Sequence, residues 1–264
     1  MMSTSVATIE SRGYVVQLVA LLRLSVVQLL RTPTHARRSI AAQRLGRDVL
    51  LIAGLGGVLV IVLLVGFDAT EIALMPPRGS PDVWWARAVT DFGKDSYVLW
   101  ALFAALIVTV TALPLLQGAS RARLLRFGTQ LEYVFVAVLC ANLVTEVLKY
   151  AIGRGRPFVG GKANAFNFVP FTGTEPYFSL PSAHAVTAFA LAFAVGAVWP
   201  RLRLFMFAYA LLIAMSRLVL LAHHPSDVVA GAMIGILVSV AVRYWFAARR
   251  LGFAIRNDGQ IVPI

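Results

Sequence analysis

The sequence is poor in charged residues, and acidic residues are the scarcest of them. Of its 264 residues 14% are charged, and only 12 are Asp or Glu against 24 Lys and Arg. Soluble domains average about 25% charged residues, so this composition excludes an ordinary soluble domain. The 59% of hydrophobic residues and the mean hydropathy of +0.79 predict a polytopic membrane protein.

Cysteine is almost absent. Cys140 is the single cysteine, so the chain cannot form an intrachain disulfide and says nothing about its redox compartment. It lies in the middle of an apolar segment, where a free thiol behaves as a small buried apolar residue.

The net charge of +12 is not concentrated in one basic domain. The arginines stand in short runs between apolar segments, a pattern typical of membrane topology and of contact with anionic headgroups. We therefore expect no nucleic-acid partner, and the membrane itself is the expected partner. The oligomeric state does not follow from the sequence.

Six apolar segments approach the roughly 20 residues that a membrane helix needs. They run approximately over residues 49–67, 96–116, 131–152, 185–200, 204–222 and 228–246. The fourth is short by itself and reaches full length once residues 181–184 are counted as its first turn. The predicted fold is all-α, a polytopic bundle of six transmembrane helices.

The predicted membrane domain, residues 48–250, lies between an N-terminal segment, 1–47, and a tail, 251–264. Basic residues cluster in both flanking segments and in the connections after the second and fourth spans. With six spans these runs all lie on one side, which the positive-inside rule makes the cytoplasm. Both termini are then cytoplasmic, and a bacterial inner membrane is the expected location.

The apolar stretch 14–30 is interrupted by Arg23, with Gln17 and Gln28 on either side. We predict an amphipathic helix that lies in the cytoplasmic interface. A seventh span is the alternative, because the stretch is nearly long enough to cross the membrane.

Three motifs carry the chemistry of the chain. They are Lys149-x6-Arg156-Pro157, Pro181-Ser182-Ala183-His184 and Ser216-Arg217-x5-His223-x3-Asp227. On the six-span map all three fall at extracytoplasmic ends of apolar segments, which places the expected site on the periplasmic side. Ionisable residues at membrane depth are costly and usually functional, so we expect the motifs to meet in one site.

These motifs resemble the signatures of the type 2 phosphatidic acid phosphatase superfamily, K-x6-RP, PSGH and SR-x5-H-x3-D. The second differs by Ala183 in place of glycine, and we expect the turn to survive because alanine suits a helix start. The resemblance implies a metal-independent lipid phosphatase without a cofactor, acting on a lipid phosphomonoester or pyrophosphate. Candidate substrates are polyprenyl pyrophosphate, phosphatidate, phosphatidylglycerophosphate and a lipid A type glycolipid.

The resemblance also implies a role for each motif residue. His223 is the nucleophile that forms a phosphohistidine, and Asp227 holds its other ring nitrogen. His184 protonates the leaving oxygen and then activates water. The phosphoryl oxygens are bound by the remaining motif residues, which are Lys149, Arg156, Ser182 and Arg217.

Other interpretations stay open at this point. A phosphotransferase would use the same site with a second lipid or a sugar in place of water. A catalytically silent lipid-binding protein would keep only the fold, although both histidines are present. The soluble vanadium-dependent haloperoxidases of the same superfamily are disfavoured by the six apolar segments.

Three residues beside the motifs are candidates for supporting contacts. Arg154 is expected to contact a second phosphate or to anchor at headgroup level. Glu146 is expected to pair with Lys149, one helical turn later. His224 is disfavoured as the nucleophile because the spacing of the third motif selects His223.

Overall fold

The computed structural model describes residues 13–77, 79–160, 164–256 and 260–264. Its helices are α1 (Tyr14–Leu30), α2 (His35–Gly66), α3 (Asp68–Leu74), α4 (Trp84–Asp91), α5 (Asp95–Ala112), α6 (Gly118–Ile152), α7 (Ala183–Val198), α8 (Arg203–Val219) and α9 (Pro225–Arg249). Short 3-10 turns lie at Pro81–Val83, Leu113–Leu115, Glu175–Tyr177 and Pro200–Leu202. Two antiparallel strands, β1 (Phe253–Ile255) and β2 (Ile261–Pro263), follow the last helix.

Within the described ranges, five helical stretches are long and apolar enough to cross a membrane. They are His35–Gly66, Pro81–Leu115, Gly118–Ile152, Pro200–Val219 and Pro225–Arg249. Each corresponds to one predicted span, and the remaining prediction, 185–200, falls on the shorter apolar helix α7. The protein is therefore an integral membrane protein with a helical membrane part.

Two of these helices begin well before their predicted spans. The helix that contains the predicted span 49–67 starts at His35, and the one that contains 131–152 starts at Gly118. Both extensions are rich in arginine, a good helix former. Hydropathy locates the part of a helix that lies in lipid, so it misses a polar continuation beyond the membrane surface.

The central helix of the bundle is α7, which packs against α6, α8 and α9. With 16 residues it is about 24 Å long. Its fully buried alanines are Ala185, Ala188, Ala190, Ala192 and Ala194. Small residues of α9 lie directly against α7. At Gly235 there is no room for a side chain, because an added Cβ would lie 2.5 Å from the carbonyl oxygen of Val186. This packing of small residues lets the helix backbones approach closely.

Both ends of α1 contact the same side of the bundle, the side opposite His184 and His223. The hydroxyl of Tyr14 donates to the carbonyl oxygen of Thr111, near the end of α5 (2.9 Å). Just after α1, Nη2 of Arg31 donates to the carbonyl oxygen of Arg249, at the end of α9 (2.7 Å). A helix that crossed the bundle would instead contact opposite sides with its two ends.

The tail contains a two-stranded ribbon that packs on the bundle. Phe253 is 1% exposed, and its ring meets that of Tyr133 edge-on with 4.8 Å between centroids. The all-α prediction misses this ribbon, because strands of three residues are too short to show the alternation that identifies a strand in sequence.

Candidate active site

The motif residues lie at the ends of four helices on one side of the bundle. Lys149 is in the last turn of α6, and Ser182 occupies the N-cap position of α7. Arg217 is in the last turn of α8, and Asp227 is in the first turn of α9. His223 lies in the short connection between these last two helices.

Gly153 ends α6 and turns the chain into the rest of the first motif. Its φ of 58° lies in the left-handed region, and a Cβ there would be 2.0 Å from the carbonyl oxygen of Val169. No other residue fits this turn. The glycine thereby sets the directions in which Arg154 and Arg156 leave the helix.

The structure brings side chains of all three motifs within electrostatic reach of one another. The imidazole of His223 interacts with Arg217, Arg156 and His184. The positive charges that act on His184 come from Arg217, Lys149, Lys94 and Arg156. Lys94, which precedes α5, is a cation of this region that the motifs do not contain.

A backbone carbonyl holds His223 in one tautomer. Its Nδ1 lies 2.8 Å from the carbonyl oxygen of Ser179. A carbonyl oxygen only accepts, so Nδ1 carries the proton and Nε2 keeps its lone pair. Burial, reinforced by the charges of Arg217 and Arg156, lowers the pKa of His223 well below its usual range. At pH 7 the ring is therefore neutral, with Nε2 as its nucleophilic atom.

The expected hydrogen bond from the ring of His223 to the carboxylate of Asp227 is not made. Oδ2 of Asp227 lies 4.0 Å from Nδ1 of His223. It accepts instead from the hydroxyl of Ser179 at 2.6 Å and from the backbone N–H of His224 at 2.9 Å. Asp227 therefore acts on His223 through Ser179. The carboxylate of Asp227 accepts from the hydroxyl of Ser179, and the carbonyl oxygen of Ser179 accepts from the ring of His223.

A fully buried arginine, Arg154, binds the other oxygen of that carboxylate. Its Nη1 lies 2.6 Å from Oδ1 of Asp227, and its Nη2 lies 2.7 Å from Oδ2 of Asp68. Its remaining donors reach the carbonyl oxygen of Ala165 and the hydroxyl of Ser226. Neither predicted role of Arg154, contact with a second phosphate or headgroup anchoring, fits a side chain with no exposed surface.

A third carboxyl group, that of Glu71, is buried close to this ion pair. Glu71 is 1% exposed and lies in α3, outside the membrane-spanning helices. Burial, followed by the charges of Asp68 and Asp227, raises the pKa of Glu71 to about 7. Below that pH Glu71 is protonated, so it then adds no negative charge beside Asp68 and Asp227.

Three buried side-chain atoms of the second and third motifs have no hydrogen-bond partner in the described part of the chain. They are Oγ of Ser182, Nε2 of His184 and Nε of Arg217. An unpaired buried polar group costs about 1–3 kcal/mol, so a set of them marks a place where a ligand supplies the partners. Nη1 of Arg217 is fixed by the hydroxyl of Thr90 at 2.7 Å.

The two cations of the first motif are paired with exposed carboxylates. Nζ of Lys149 lies 2.7 Å from Oε1 of Glu146, which is the predicted pairing, and Nη2 of Arg156 lies 3.4 Å from Oε1 of Glu175. The carboxylate partners are 56% and 81% exposed. Ion pairs of this kind contribute little, so either cation can turn to a phosphate at low cost.

Ala183 needs none of the backbone freedom of the glycine that the resemblance predicts. It is the first residue of α7, directly after the cap Ser182, and it has ordinary helical geometry.

We expect Ala183→Gly to change kcat/KM by less than about threefold and to lower thermal stability slightly, because glycine costs roughly 0.5–1 kcal/mol in a helix. Initial rates and the unfolding midpoint of the two purified proteins measure this. A gain in activity of orders of magnitude would instead mean that the alanine distorts the turn.

Comparisons with known proteins place the chain in a family. A family model described as the PAP2 superfamily matches residues 130–251, which contain all three motifs. Two relatives, the lipid A 1-phosphatases of Rhizobium johnstonii and Rhizobium etli, are 32% identical to the chain over 201 and 194 residues. These matches cover 76% and 73% of this chain and 82% and 83% of the relatives.

A crystal structure of Aquifex aeolicus LpxE is also similar. It has 20% sequence identity and a TM-score of 0.45, and the match covers 63% of this chain and 87% of that chain.

The helical membrane fold and the three assembled motifs define a membrane phosphatase. The chain belongs to the PAP2 superfamily, and it is a lipid phosphatase of that family.

Proposed function

We propose that this protein removes the 1-phosphate of a lipid A type glycolipid at the extracytoplasmic surface of a bacterial inner membrane. The observation that carries the chemistry is a neutral His223 with its lone pair on Nε2. In the described part of the chain, Oγ of Ser182, Nε2 of His184 and Nε of Arg217 have no hydrogen-bond partner and can bind a ligand. The choice among lipids rests on the two relatives, which are lipid A 1-phosphatases and match about three quarters of the chain.

The phosphate is bound by charge and by the turn that opens α7. Arg156 and Arg217 bind its oxygens with their planar forks, and Lys149 adds a point charge. Ser182 donates its hydroxyl at the N-terminus of the helix, where anions bind readily. The same groups stabilise the charge on the phosphoryl oxygens in the transition state.

In the first step Nε2 of His223 attacks phosphorus. The bond from phosphorus to the lipid oxygen breaks, and His184 gives that oxygen a proton, so the dephosphorylated lipid leaves and a phosphohistidine remains. In the second step water attacks phosphorus and His184 takes its proton. The bond from phosphorus to Nε2 then breaks, and inorganic phosphate leaves with the nucleophile restored.

The phosphohistidine ring is cationic, and its surroundings suit a positive charge. The proton on Nδ1 points at the carbonyl of Ser179, and the carboxylate of Asp227 lies 4.0 Å away. We assign Arg154, Asp227 and Ser179 as positioning residues, because they act on the reaction through His223 and not on the substrate.

We further propose six membrane spans, with α7 as the fourth and α1 in the cytoplasmic interface. The central position of α7 among α6, α8 and α9 supports this, because protein surrounds the helix where it is too short for the bilayer. The contacts of Tyr14 and Arg31 with one side of the bundle support the placement of α1.

The test is phosphate release by the detergent-purified protein, with EDTA present, across the four candidate lipids. We expect lipid A to react fastest, and mass spectrometry of its product to show loss of the 1-phosphate with the second phosphate retained. The blank is His223→Ala, in which release must disappear.

Faster release from any of the other three lipids would overturn the proposed substrate. Inhibition by EDTA that added metal reverses would overturn the metal-independent mechanism. Activity that appears only after a second lipid is added as acceptor would show a phosphotransferase, and binding of lipid A without any turnover would show a lipid-binding protein.

A further inference from the structure

A basic cavity of about 430 Å³ lies at the end of the bundle opposite His184 and His223. Its arginines come from three parts of the chain: Arg37 and Arg44 from α2, Arg250 directly after α9, and Arg256 directly after β1. Ile40 and Ile255 form part of its wall, and no carboxylate lines it among the described residues.

The cavity is separate from the phosphatase site. Helix α9 begins two residues after His223 and ends next to the cavity, one residue before Arg250. Its 25 residues span about 37 Å at 1.5 Å per residue. The two sites therefore lie at opposite surfaces of the membrane, and a lipid phosphate in one cannot reach the other.

The charged side chains that line the cavity among the described residues are all positive. Four guanidinium groups share one space that is walled in part by apolar side chains, and a guanidinium remains charged at every accessible pH. An anion between the arginines would lie close to several positive charges at once.

The chemistry of the cavity fits a phosphate group. Guanidinium groups bind phosphate through paired, charge-assisted hydrogen bonds, and clusters of arginines beside a membrane helix attract anionic headgroups.

The position of the cavity favours a lipid as the source of that phosphate. Helix α2 runs from the cavity directly into the membrane and exposes large apolar side chains along the way, among them Leu50, Leu51 and Leu55. A headgroup among the arginines would place its acyl chains along this face of α2.

We propose that this cavity binds the phosphate of an anionic phospholipid from the leaflet opposite the active site. The proposed role of the site is binding, and its ligand is a phosphodiester headgroup of the phosphatidylglycerol type.

The experiment measures the thermal unfolding midpoint of the full-length protein in detergent micelles as dioleoylphosphatidylglycerol is added. A ligand that binds the native state raises this midpoint. In Arg37→Gln/Arg250→Gln/Arg256→Gln we expect half of the rise to need roughly a hundredfold more lipid, since each basic residue contributes about a fivefold gain in affinity. The single variant Arg256→Gln should need about fivefold more.

The matched control is Arg123→Gln/Arg126→Gln/Arg201→Gln. It removes the same number of positive charges from the same side of the bundle, outside the cavity, and we expect it to keep the wild-type lipid response. Phosphatase activity and the midpoint without lipid confirm that each variant is folded. If the triple cavity variant is unstable, Arg256→Gln decides the question.

Three results would overturn the proposal. Equal weakening in the cavity and control variants would mean an unspecific attraction by surface charge. The same rise with dioleoylphosphatidylcholine would mean that anionic lipids are not selected. A rise with inorganic phosphate alone, lost in the cavity variant, would make the cavity a site for soluble anions.

Discussion

His223→Ala is expected to lower kcat by a factor on the order of 10⁴ to 10⁶, the range seen when a nucleophile is removed from an enzyme that uses covalent catalysis. Without the imidazole no phosphorus–nitrogen bond can form, whereas Arg156, Arg217 and Lys149 remain to bind the lipid phosphate. The loss should therefore fall on kcat and leave KM within a few fold. Initial rates over a range of substrate concentrations measure the two separately.

A covalent intermediate gives an independent readout of the same prediction. After brief incubation with a lipid that carries a labelled phosphate, the wild-type protein should retain label on a histidine, and His223→Ala should retain none. His35→Ala is the control, because this exposed histidine at the start of α2 lies at the end of the bundle opposite the active site. Label that persists in His223→Ala would move the nucleophile to another residue.

Arg154→Met is expected to destabilise the fold by about 3–5 kcal/mol, the cost of breaking a buried ion pair by removing one partner. The carboxylates of Asp68 and Asp227 lie within 2.7 Å of the guanidinium, and none of the three side chains is exposed. Methionine would leave both negative charges buried without a counterion. Chemical or thermal unfolding of the purified variant measures the loss.

A conservative variant separates positioning from folding. Arg154→Lys keeps the charge but cannot bind two carboxylates and a backbone carbonyl at once, so we expect a folded protein with kcat about 10²-fold lower and KM little changed. The reason is that a displaced Asp227 releases Ser179, whose carbonyl orients His223. Wild-type kcat in Arg154→Lys would limit Arg154 to a structural role.

Asp68→Asn combined with Arg154→Met supplies the matched control for stability. It removes one of the two uncompensated charges, so part of the stability lost in Arg154→Met should return while activity stays low. If stability does not return, the cost comes from lost packing of the arginine and not from unpaired charge.

The meeting of the three motifs could be predicted because their residues are themselves the polar groups at the ends of apolar segments. Hydropathy and the positive-inside rule place those ends on one side without knowledge of any contact. Helix starts such as Gly118 could not be placed in this way, since arginine-rich turns continue a helix without adding hydrophobicity.

The predicted hydrogen bond between Asp227 and His223 illustrates why the spacing of two residues in a motif does not by itself establish a contact. Side chains four residues apart meet only when both belong to one helix, and α9 begins at Pro225, after His223. The role of Ser179 could not be predicted either. It orients the ring of His223 through its backbone carbonyl, a group that every residue possesses. Asp68 lies 86 residues before Arg154 in the chain, and no local pattern connects them.

The partners of Arg154 and Arg217 also set the smallest chain that contains a whole catalytic unit. Asp68 and Thr90 both precede residue 130, where the match to the family model begins. A shortened protein that started with α6 would keep every motif residue and would still lack the counterion of one arginine and the anchor of the other. Attempts to build a minimal phosphatase from this chain should therefore retain the segment that contains Asp68 and Thr90, even though no motif marks it.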